Sequence, residues 1–247
     1  MAASRYAREV WEYVNLYSVH RGKNRFVALQ VSLGLIAGSR VFAQRGIRVG
    51  PLPALDAWLR EAESLSSAAL ARRVAERPDP ELARVLAWSD EINARVEDLV
   101  RGVLPFPGVR SCLERLRARA DIVVVSQTPV AALQREWEEH DIACFADFIA
   151  GQEMGSKSAH LRLAAGGRYA PGHILMIGDA PGDATAAREN GALFFPVLPG
   201  AEEESWEALL AEGLERFFAG RFDGEYQRAL LARFAAALPA APPWKWT

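Results

Sequence analysis

Two short apolar runs in the second half of the chain constrain its fold more than any other feature. Residues 122–125 read Ile-Val-Val-Val and residues 174–177 read Ile-Leu-Met-Ile, and residues 192–197 are a third apolar segment. Runs this short and this apolar are typical of parallel strands that are buried on both faces. Predicted helices alternate with these strands and with a weaker strand near residues 145–150. The helices cover residues 109–120, 130–140, a segment around His160, and residues 184–190. The alternation predicts an α/β fold, in which helices cover both faces of a parallel sheet.

The first hundred residues show a helical pattern instead. From Ala3 to Tyr17 apolar residues recur at steps of three and four, which is the spacing of one helix face. Prolines then divide the segment, and the predicted helices cover residues 3–17, 26–42, 55–76 and 81–100. We therefore expect a mainly helical domain over residues 1–103 and an α/β domain over residues 104–247. Two helices, over residues 205–219 and 225–238, and a loose tail from residue 239 are expected to end the chain.

Composition excludes several classes of protein. The 247 residues include 50% hydrophobic and 24% charged residues, as in an ordinary globular protein, which argues against disorder. Polar residues interrupt the longest apolar stretch, residues 26–37, which is shorter than the ~20 residues of a membrane-spanning helix. Charged residues occupy the place where a signal peptide would be apolar. Two cysteines, Cys112 and Cys144, are too few for a disulfide framework or a zinc site. We expect a cytoplasmic protein that does not enter a membrane.

Charge is distributed unevenly along the chain. Residues 1–50 contain eight Lys or Arg and two Glu, a net charge of +6, which leaves −8 for the remainder of a chain whose formal net charge is −2. This excess favours an anionic partner, such as a small phosphorylated molecule, or it is simply a solvated helix face. Because the basic residues are scattered and not interleaved with aromatic residues, nucleic acid is the less favoured partner.

Polar groups follow the first apolar run, where strands of a parallel sheet end and ligands bind. The sequence Ser126-Gln127-Thr128-Pro129 places a hydroxyl group and the first N–H groups of the next helix at this point. Such groups can hold a phosphate oxygen. Alternatively, Ser126 or Thr128 is only the cap of that helix.

Charged groups follow the next strands. Asp179 and Asp183 lie four residues apart after the second run, and carboxylate oxygens of this kind suit Mg²⁺. The alternative is a Pro-Gly turn in which Asp183 caps the helix. Lys157 lies between the two segments, where its ammonium group either neutralises a phosphate or is merely solvated.

Taken in this order, the three segments resemble motifs II, III and IV of the haloacid dehalogenase superfamily, in its phosphoglycolate-phosphatase-like branch. The resemblance covers roughly residues 105–200 and implies a Rossmann-like core with the first hundred residues as a helical cap. It implies that Ser126 grips the phosphate, that Lys157 offsets charge on the nucleophile and substrate, and that Asp179 binds Mg²⁺ with Asp183 as its support. The further substrate contacts that we expect are Gln127 and Thr128 beside Ser126, and Arg21, Lys23, Asn24 and Arg25 in the cap.

The family's first motif, Asp-x-Asp, does not occur in this sequence. In the family its first carboxylate attacks phosphorus and the second is the general acid and base. The nearest substitute by position, around Asn15 and Tyr17, fits an amphipathic helix better than a buried strand, because Arg8, Glu9 and Glu12 precede it. Without that strand, two neighbouring strands of the sheet would lose a ladder partner.

Three explanations of the missing motif remain open. The polypeptide begins upstream of Met1; or a second chain, in a homo-oligomer or with a different partner, supplies the strand and the nucleophile; or residues 10–18 form a degenerate strand in an inactive protein. We expect a Mg²⁺-dependent phosphohydrolase that acts on a small phosphorylated metabolite. The alternative is a catalytically inactive protein that binds a phosphorylated ligand or has a regulatory role.

Overall fold

The computed structural model describes residues 4–99 and 102–244, and of residues 96–99 it describes the backbone only. The described residues form two compact units. The first contains the residues up to 99 together with those from 239 onwards, and the second is Gly102–Leu238. The whole is a mixed α/β protein. Among the described residues, no helix combines the length and the apolar character needed to cross a membrane.

All the regular elements described in the first unit are helices. Asn24 and Ser66 cap two of its helices, because their side-chain oxygens accept hydrogen bonds from the backbone N–H groups of Phe26 and Ala69. The helices are α1 (Ser4–Leu16), α2 (Arg25–Gly38), α3 (Arg40–Gln44), α4 (Pro53–Glu61), α5 (Ser67–Glu76) and α6 (Pro80–Leu99).

Two of the helices predicted for this unit were wrong in length. The predicted helix over residues 26–42 is broken at Ser39, which has an extended backbone conformation. The predicted helix over residues 55–76 is broken between α4 and α5, where Ser66 begins a new helix. At Ser66 the reason is local, because the hydroxyl oxygen accepts a hydrogen bond from the backbone N–H of Ala69 and so starts the new helix. The hydroxyl of Ser39 has no hydrogen-bond partner among the described residues.

Helix α1 is part of the core of the first unit. Val10 and Val14 are fully buried, and Tyr13 is nearly so. Asn15 donates its side-chain amide to the carbonyl of Trp11 at 2.9 Å, within the same helix. The hypothesis of a degenerate strand over residues 10–18 is therefore wrong, because the segment up to Leu16 is helical and buries one apolar face.

The final segment of the chain packs on α1. The hydroxyl of Tyr13 donates to the carbonyl of Pro239 at 3.1 Å, and the Trp244 ring meets the Tyr13 ring edge-on with centroids 5.1 Å apart. The loose tail expected from residue 239 is therefore wrong for the described part, residues 239–244. An aromatic pair and a hydrogen bond hold this segment on the helical unit.

The second unit alternates helices and short strands. After Gly108, whose positive φ of 85° suits glycine, the chain enters the helix that precedes the first strand. The elements are α7 (Val109–Arg117), β1 (Val123–Val125), α8 (Val130–Glu139), β2 (Phe148–Ala150), α9 (Lys157–Ala165), β3 (Leu175–Gly178), α10 (Pro181–Glu189), β4 (Leu193–Pro196), α11 (Glu202–Ala208), α12 (Leu214–Phe218) and α13 (Glu225–Ala237). A π-helical turn, Leu209–Gly213, joins α11 to α12.

The four described strands form two sheets. Strand β1 pairs with β2 in parallel, with Val123 opposite Phe148, and β3 pairs with β4 in parallel, with Leu175 opposite Leu193. The expectation of one continuous parallel sheet is therefore wrong for the described residues, which form two two-stranded ladders. The physical reason is that no backbone hydrogen bonds join β1 to β3 among the described residues.

An ion pair fixes the entry to β1. The carboxylate of Asp147 accepts a hydrogen bond from the backbone N–H of Ile122 at 2.9 Å and a second from the guanidinium of Arg117. Together these hydrogen bonds lower the pKa of Asp147 below its usual range. The starts of β1 and β2 are thus tied together at the end of the sheet away from the polar loops.

Two apolar clusters lie on opposite faces of β3 and β4 and extend to Ile122 and Val125 at β1. On one face Ile122 and Ile177 pack against a cluster that contains Phe195. On the other face Val125 packs against a cluster that contains Met176. Residues next to β1 and residues of β3 therefore contribute to the same layer on each face, so the two ladders are parts of one α/β arrangement.

The layers account for the stability of the second unit. Leu209 is fully buried in the cluster that contains Phe195, whereas Leu163 on α9 is 73% exposed. We expect Leu209→Ala to lower the free energy of unfolding by about 2–5 kcal/mol through lost burial and a residual cavity. The matched change Leu163→Ala should alter it by no more than about 0.5 kcal/mol. Denaturant unfolding of the two variants measures this; equal losses would contradict the described packing.

Candidate functional site

A hydrogen bond to the side chain of Ser126 closes the polar turn after β1. The backbone N–H of Ser126 extends the ladder by donating to the carbonyl of Ala150 at 3.0 Å. The Ser126 hydroxyl oxygen accepts from the backbone N–H of Thr128 at 3.1 Å. Because this bond uses a lone pair, the hydroxyl hydrogen of Ser126 stays available as a donor to a ligand.

The loops after β1 and β2 are tied together. Gln127 donates its side-chain amide to the carbonyl of Gly155 at 3.0 Å, and the backbone N–H of Gln152 donates to the carbonyl of Thr128 at 3.1 Å. Gly151 permits this approach, since a Cβ there would lie 2.6 Å from the backbone nitrogen of Val130. The predicted substrate contact Gln127 therefore uses its amide nitrogen to hold two loops in register.

Glu153 is a site residue that the sequence did not indicate. Its carboxylate accepts a hydrogen bond at 3.2 Å from the backbone N–H of Val130, the first residue of α8. A carboxylate at this end of a helix is stabilised by the helix dipole. No local pattern identifies such a residue, because it lies in a different loop from the helix that it caps.

Lys157 and Asp183 form the central ion pair of the site. The ammonium nitrogen of Lys157 lies 2.5 Å from Oδ1 of Asp183, and the side chain of Asp183 is 2% exposed. The other carboxylate oxygen, Oδ2, accepts from the backbone N–H groups of Asp179 and Ala180, each at 3.1 Å. One buried carboxylate thus joins the start of α9 to the turn after β3.

Gly178 makes room for that carboxylate. A Cβ at Gly178 would lie 2.6 Å from both Cβ and Oδ2 of Asp183, closer than real contacts allow. Glycine inside a strand often marks such a close approach, so this position carries a signal that sequence analysis could have used. The last residue of β3 must therefore be glycine for Asp183 to lie over the strand end.

The turn after β3 contains Asp179 and Asp183, the two carboxylates that the sequence predicts to bind or support Mg²⁺. Asp179 is half-buried and follows β3 directly, and Mg²⁺ needs only one or two carboxylates because it keeps several waters. Both oxygens of Asp183 already accept hydrogen bonds, so direct ligation by Asp183 would compete with Lys157. In the part of the chain that the structure describes, no group of three or more His, Cys, Asp or Glu residues could hold a metal ion.

The substrate contacts predicted in the cap lie in the first unit, where Arg21, Asn24 and Arg25 make local hydrogen bonds. Arg21 donates to the carbonyl of Leu16 at 2.9 Å. Asn24 caps α2 and donates to the carbonyl of Leu65 at 2.5 Å. Arg25 is half-buried, and its guanidinium donates to oxygen atoms of Ser89 and Asn93. These local hydrogen bonds do not test the substrate roles of Arg21, Asn24 and Arg25, which stay predictions. Lys23 is exposed in the same loop.

Neither cysteine belongs to this polar cluster. Cys112 is fully buried, and burial raises the pKa of its thiol to about 11. Cys144 is exposed, in the turn that follows α8. The thiol of Cys112, with this raised pKa, is a poor nucleophile at neutral pH because the thiolate is the reactive form.

The predicted residues of the second unit thus follow the carboxyl ends of β1, β2 and β3, and an ion pair joins Lys157 to Asp183. Ser126, Gln127 and Thr128 lie after β1, Lys157 begins α9, and Asp179 and Asp183 follow β3. Comparison of the chain with protein-family models, with curated proteins and with solved structures finds no match. The chemistry of this edge therefore rests on its own geometry.

The two glycines near Asp183 provide a test of the turn. We expect Gly178→Ala to lower the free energy of unfolding by about 1–3 kcal/mol, since its methyl group displaces the Asp183 carboxylate. Gly182, inside α10, has open space around it, so Gly182→Ala should be neutral or slightly stabilising. Thermal or denaturant unfolding compares the variants, and a neutral Gly178→Ala would refute the close packing of Asp183.

The two cysteines should differ in reactivity. At pH 7.5 a disulfide reagent should modify one thiol per folded chain, because Cys144 is exposed and Cys112 is buried with a raised pKa. Cys144→Ser should abolish the reaction of the folded protein, and denaturant should restore one reactive thiol in that variant. Rapid modification of two thiols without denaturant would contradict the packing of α7.

Proposed function

We propose that the chain binds the phosphate group of a small phosphorylated metabolite at this edge and is a Mg²⁺-dependent phosphohydrolase of the haloacid dehalogenase type. The observation that carries the proposal is the Lys157 ammonium group, fixed at 2.5 Å by a buried carboxylate beyond the carboxyl ends of parallel strands. Ligands of open α/β sheets bind at this edge. In this proposal β1–β4 belong to one Rossmann-like core.

Lys157 and Ser126 would bind the phosphate oxygens. An ammonium group has three donors, and Asp183 uses one of those of Lys157. The remaining donors, together with the hydroxyl hydrogen of Ser126, suit an anion with several acceptor oxygens. Asp183 acts as a positioning residue, since it holds the ammonium group in place and is itself buried.

Asp179 would hold the metal ion. Its backbone N–H is fixed by Asp183, so its position after β3 is set by the same carboxylate that holds Lys157. When bound, Mg²⁺ supplies charge stabilisation to the phosphoryl group during displacement. The carboxylate of Asp179 would supply negative charge that attracts the cation.

This sequence contains no Asp-x-Asp motif to provide the attacking carboxylate. In the proposal it comes from outside the 247 residues. The structure rules out only the degenerate strand over residues 10–18, because α1 is helical up to Leu16. An upstream segment, a second chain and an inactive protein all stay predictions. The role of the first unit as a cap, with Arg21, Asn24 and Arg25 as substrate contacts, stays a prediction.

A second candidate function is that of a phosphate-ligand-binding or regulatory protein without catalysis. The arrangement of Ser126 and Lys157 favours it, because a hydroxyl group and an ammonium group can bind an anion whether or not a nucleophile is present. Binding alone requires a fixed cation and hydrogen-bond donors. The two candidates share the phosphate site and differ in whether bond cleavage follows.

Equilibrium binding of inorganic phosphate tests the shared site. Loss of one charge-assisted hydrogen bond costs about 1.5–3 kcal/mol, so Lys157→Gln should weaken binding about tenfold or more. The glutamine amide can still donate to Asp183, which limits the damage to folding. Arg168→Gln removes an equal charge at an exposed position of the same unit and should leave the affinity unchanged. Equal affinity in both variants would refute the role of Lys157.

Hydrolysis of p-nitrophenyl phosphate by the protein purified from its source, together with any segment or chain that accompanies these 247 residues, separates the two candidates. If the protein is a phosphohydrolase, release of phosphate should require Mg²⁺ and should be abolished by Asp179→Asn, whereas binding of inorganic phosphate without Mg²⁺ should persist in that variant. Phosphate binding without any Mg²⁺-dependent turnover would favour the binding protein. Turnover of Asp179→Asn at the level of the unchanged protein would refute Asp179 as the metal ligand.

A further inference from the structure

Residues 13–55 contain no acidic residue. Glu12 precedes this acid-free segment and Asp56 follows it, whereas the segment itself contains six Lys or Arg residues, from Arg21 to Arg48. At the average frequency of the chain, 31 Asp and Glu in 247 residues, a segment of this length would contain about five acidic residues. The segment includes the end of α1, all of α2 and α3, and the loops that follow α1 and α3. Its positive charge is therefore not matched within the segment.

Four of these cations are exposed and lack a carboxylate partner. They are Lys23, Arg40, Arg45 and Arg48, and none of them forms an ion pair among the described residues. The guanidinium of Arg45 is nevertheless held in place, because it lies 4.9 Å from the centre of the Tyr6 ring and donates to a backbone carbonyl at 3.2 Å. A cation that is held in place but not neutralised attracts an anionic partner.

The exposed large apolar side chains of the first unit lie in the same segment. Among the described residues of that unit they are Leu16, Tyr17, Val19 and Ile47. A single exposed apolar residue is normal for a protein surface, but all of these lie where the chain has no acidic residue. The first unit therefore exposes apolar side chains in the segment that also carries its unmatched positive charge.

Hydrogen bonds of Ser18 fix the loop after α1. Ser18 is fully buried; its hydroxyl donates to the carbonyl of Val14 at 3.0 Å, and the hydroxyl oxygen accepts from the backbone N–H of His20 at 3.1 Å. The neighbours of Ser18 on either side, Tyr17 and Val19, are exposed. The loop is thus an ordered turn that buries a polar side chain and exposes two apolar ones.

The loop after α3 is fixed in a similar way. The backbone N–H of Ile47 donates to the carbonyl of Phe42 at 3.0 Å, and Gly46 adopts a positive φ of 71°, which suits glycine. Ile47 itself is exposed, and the exposed residues Arg45 and Arg48 lie close to it in the sequence. An aliphatic side chain is therefore presented together with two guanidinium groups.

Helix α2 connects the two loops. Its 14 residues span about 20 Å, and Arg25 at its start is its only charged residue. The ring of Tyr6, near the start of α1, contacts the ring of Phe42, beyond the end of α2, with centroids 6.4 Å apart. Helices α1 and α2 therefore run antiparallel, and the loops lie at opposite ends of α2. A small phosphorylated metabolite is too short to contact both loops.

We propose that the acid-free segment docks the first unit on a membrane surface that contains anionic lipids. The exposed cations attract the lipid headgroups, and the exposed apolar side chains enter the boundary between headgroups and acyl chains. A membrane offers negative charge and an apolar layer over the whole length of α2, whereas nucleic acid offers no apolar layer for Leu16, Val19 and Ile47. Such peripheral contact requires no membrane-spanning helix. This inference does not depend on the phosphate site of the second unit.

Sedimentation of the full chain with extruded vesicles tests the docking. Vesicles of phosphatidylcholine that contain about 30% phosphatidylserine should bind the protein about tenfold more tightly, or better, than vesicles of phosphatidylcholine alone. Binding should weaken as the salt concentration rises from about 0.05 M to about 0.5 M. Arg45→Gln combined with Arg48→Gln should weaken binding about tenfold or more, because each cation near an anionic surface contributes about fivefold.

The matched control combines Arg72→Gln with Arg84→Gln. Both arginines are exposed, on α5 and α6, outside the acid-free segment, so the same loss of charge from the same unit should change vesicle binding by no more than about twofold. Arg45→Lys combined with Arg48→Lys keeps the charge and should retain binding. Equal weakening by the two glutamine pairs would mean that only net charge matters and would overturn the proposal.

Ile47→Ser tests the apolar contact. It should weaken binding to the anionic vesicles about threefold or more through lost burial of the side chain. Leu163→Ser changes an exposed leucine of the second unit and should leave binding unchanged. Equal binding of the Ile47→Ser variant and the unchanged protein would overturn the insertion of this loop.

Other outcomes would also overturn the proposal. These are equal binding to both kinds of vesicle, binding to neither, or binding through Arg45 and Arg48 to single-stranded RNA or to a poly-glutamate peptide but not to vesicles. Lys157→Gln should weaken binding of inorganic phosphate and leave vesicle binding unchanged. Failure of the docking surface is therefore distinguishable from failure of the proposed function.

Discussion

The apolar layers on both faces of β1–β4 hold the second unit together, because its ladders are too short to do so. Strands of three or four residues in two separate pairs provide few hydrogen bonds, and an isolated two-stranded ladder is marginal in water. Helices pack onto both faces and place Ile122 and Ile177 in one cluster and Val125 and Met176 in the other. The strands keep a sheet-like arrangement although no hydrogen bonds join β1 to β3 among the described residues.

The polar edge depends on that arrangement and on one carboxylate. Asp183 is buried, so its charge requires partners, and it has three: the ammonium of Lys157 and the backbone N–H groups of Asp179 and Ala180. Each partner comes from a segment that a strand end positions. The same geometry that satisfies a buried charge therefore presents a cation, a hydroxyl group and a second carboxylate at the edge where ligands of such sheets bind.

The split between the ladders connects fold and function. The proposed phosphohydrolase lacks its attacking carboxylate, and no ladder joins β1 to β3 among the described residues. These are separate observations, one about sequence and one about backbone pairing. Because α1 is a buried helix of the first unit, the amino-terminal segment does not contribute a strand. The proposed phosphate site lies in the second unit, where Ser126 follows β1 and Asp179 follows β3.

The sequence by itself determined the type and order of most elements and the polar residues that end the strands. Apolar periodicity is local, so it located α1 and β1, and it placed Ser126, Lys157 and Asp179 in loops. It did not show the break at Ser39, where the backbone becomes extended, or the packing of Trp244 on Tyr13. Only the tertiary structure decided that Asp183 holds Lys157, that Glu153 caps α8, and that the strands form two ladders. The physical reason is that these contacts join segments distant in sequence, and their formation depends on burial and backbone pairing, which a local pattern does not encode.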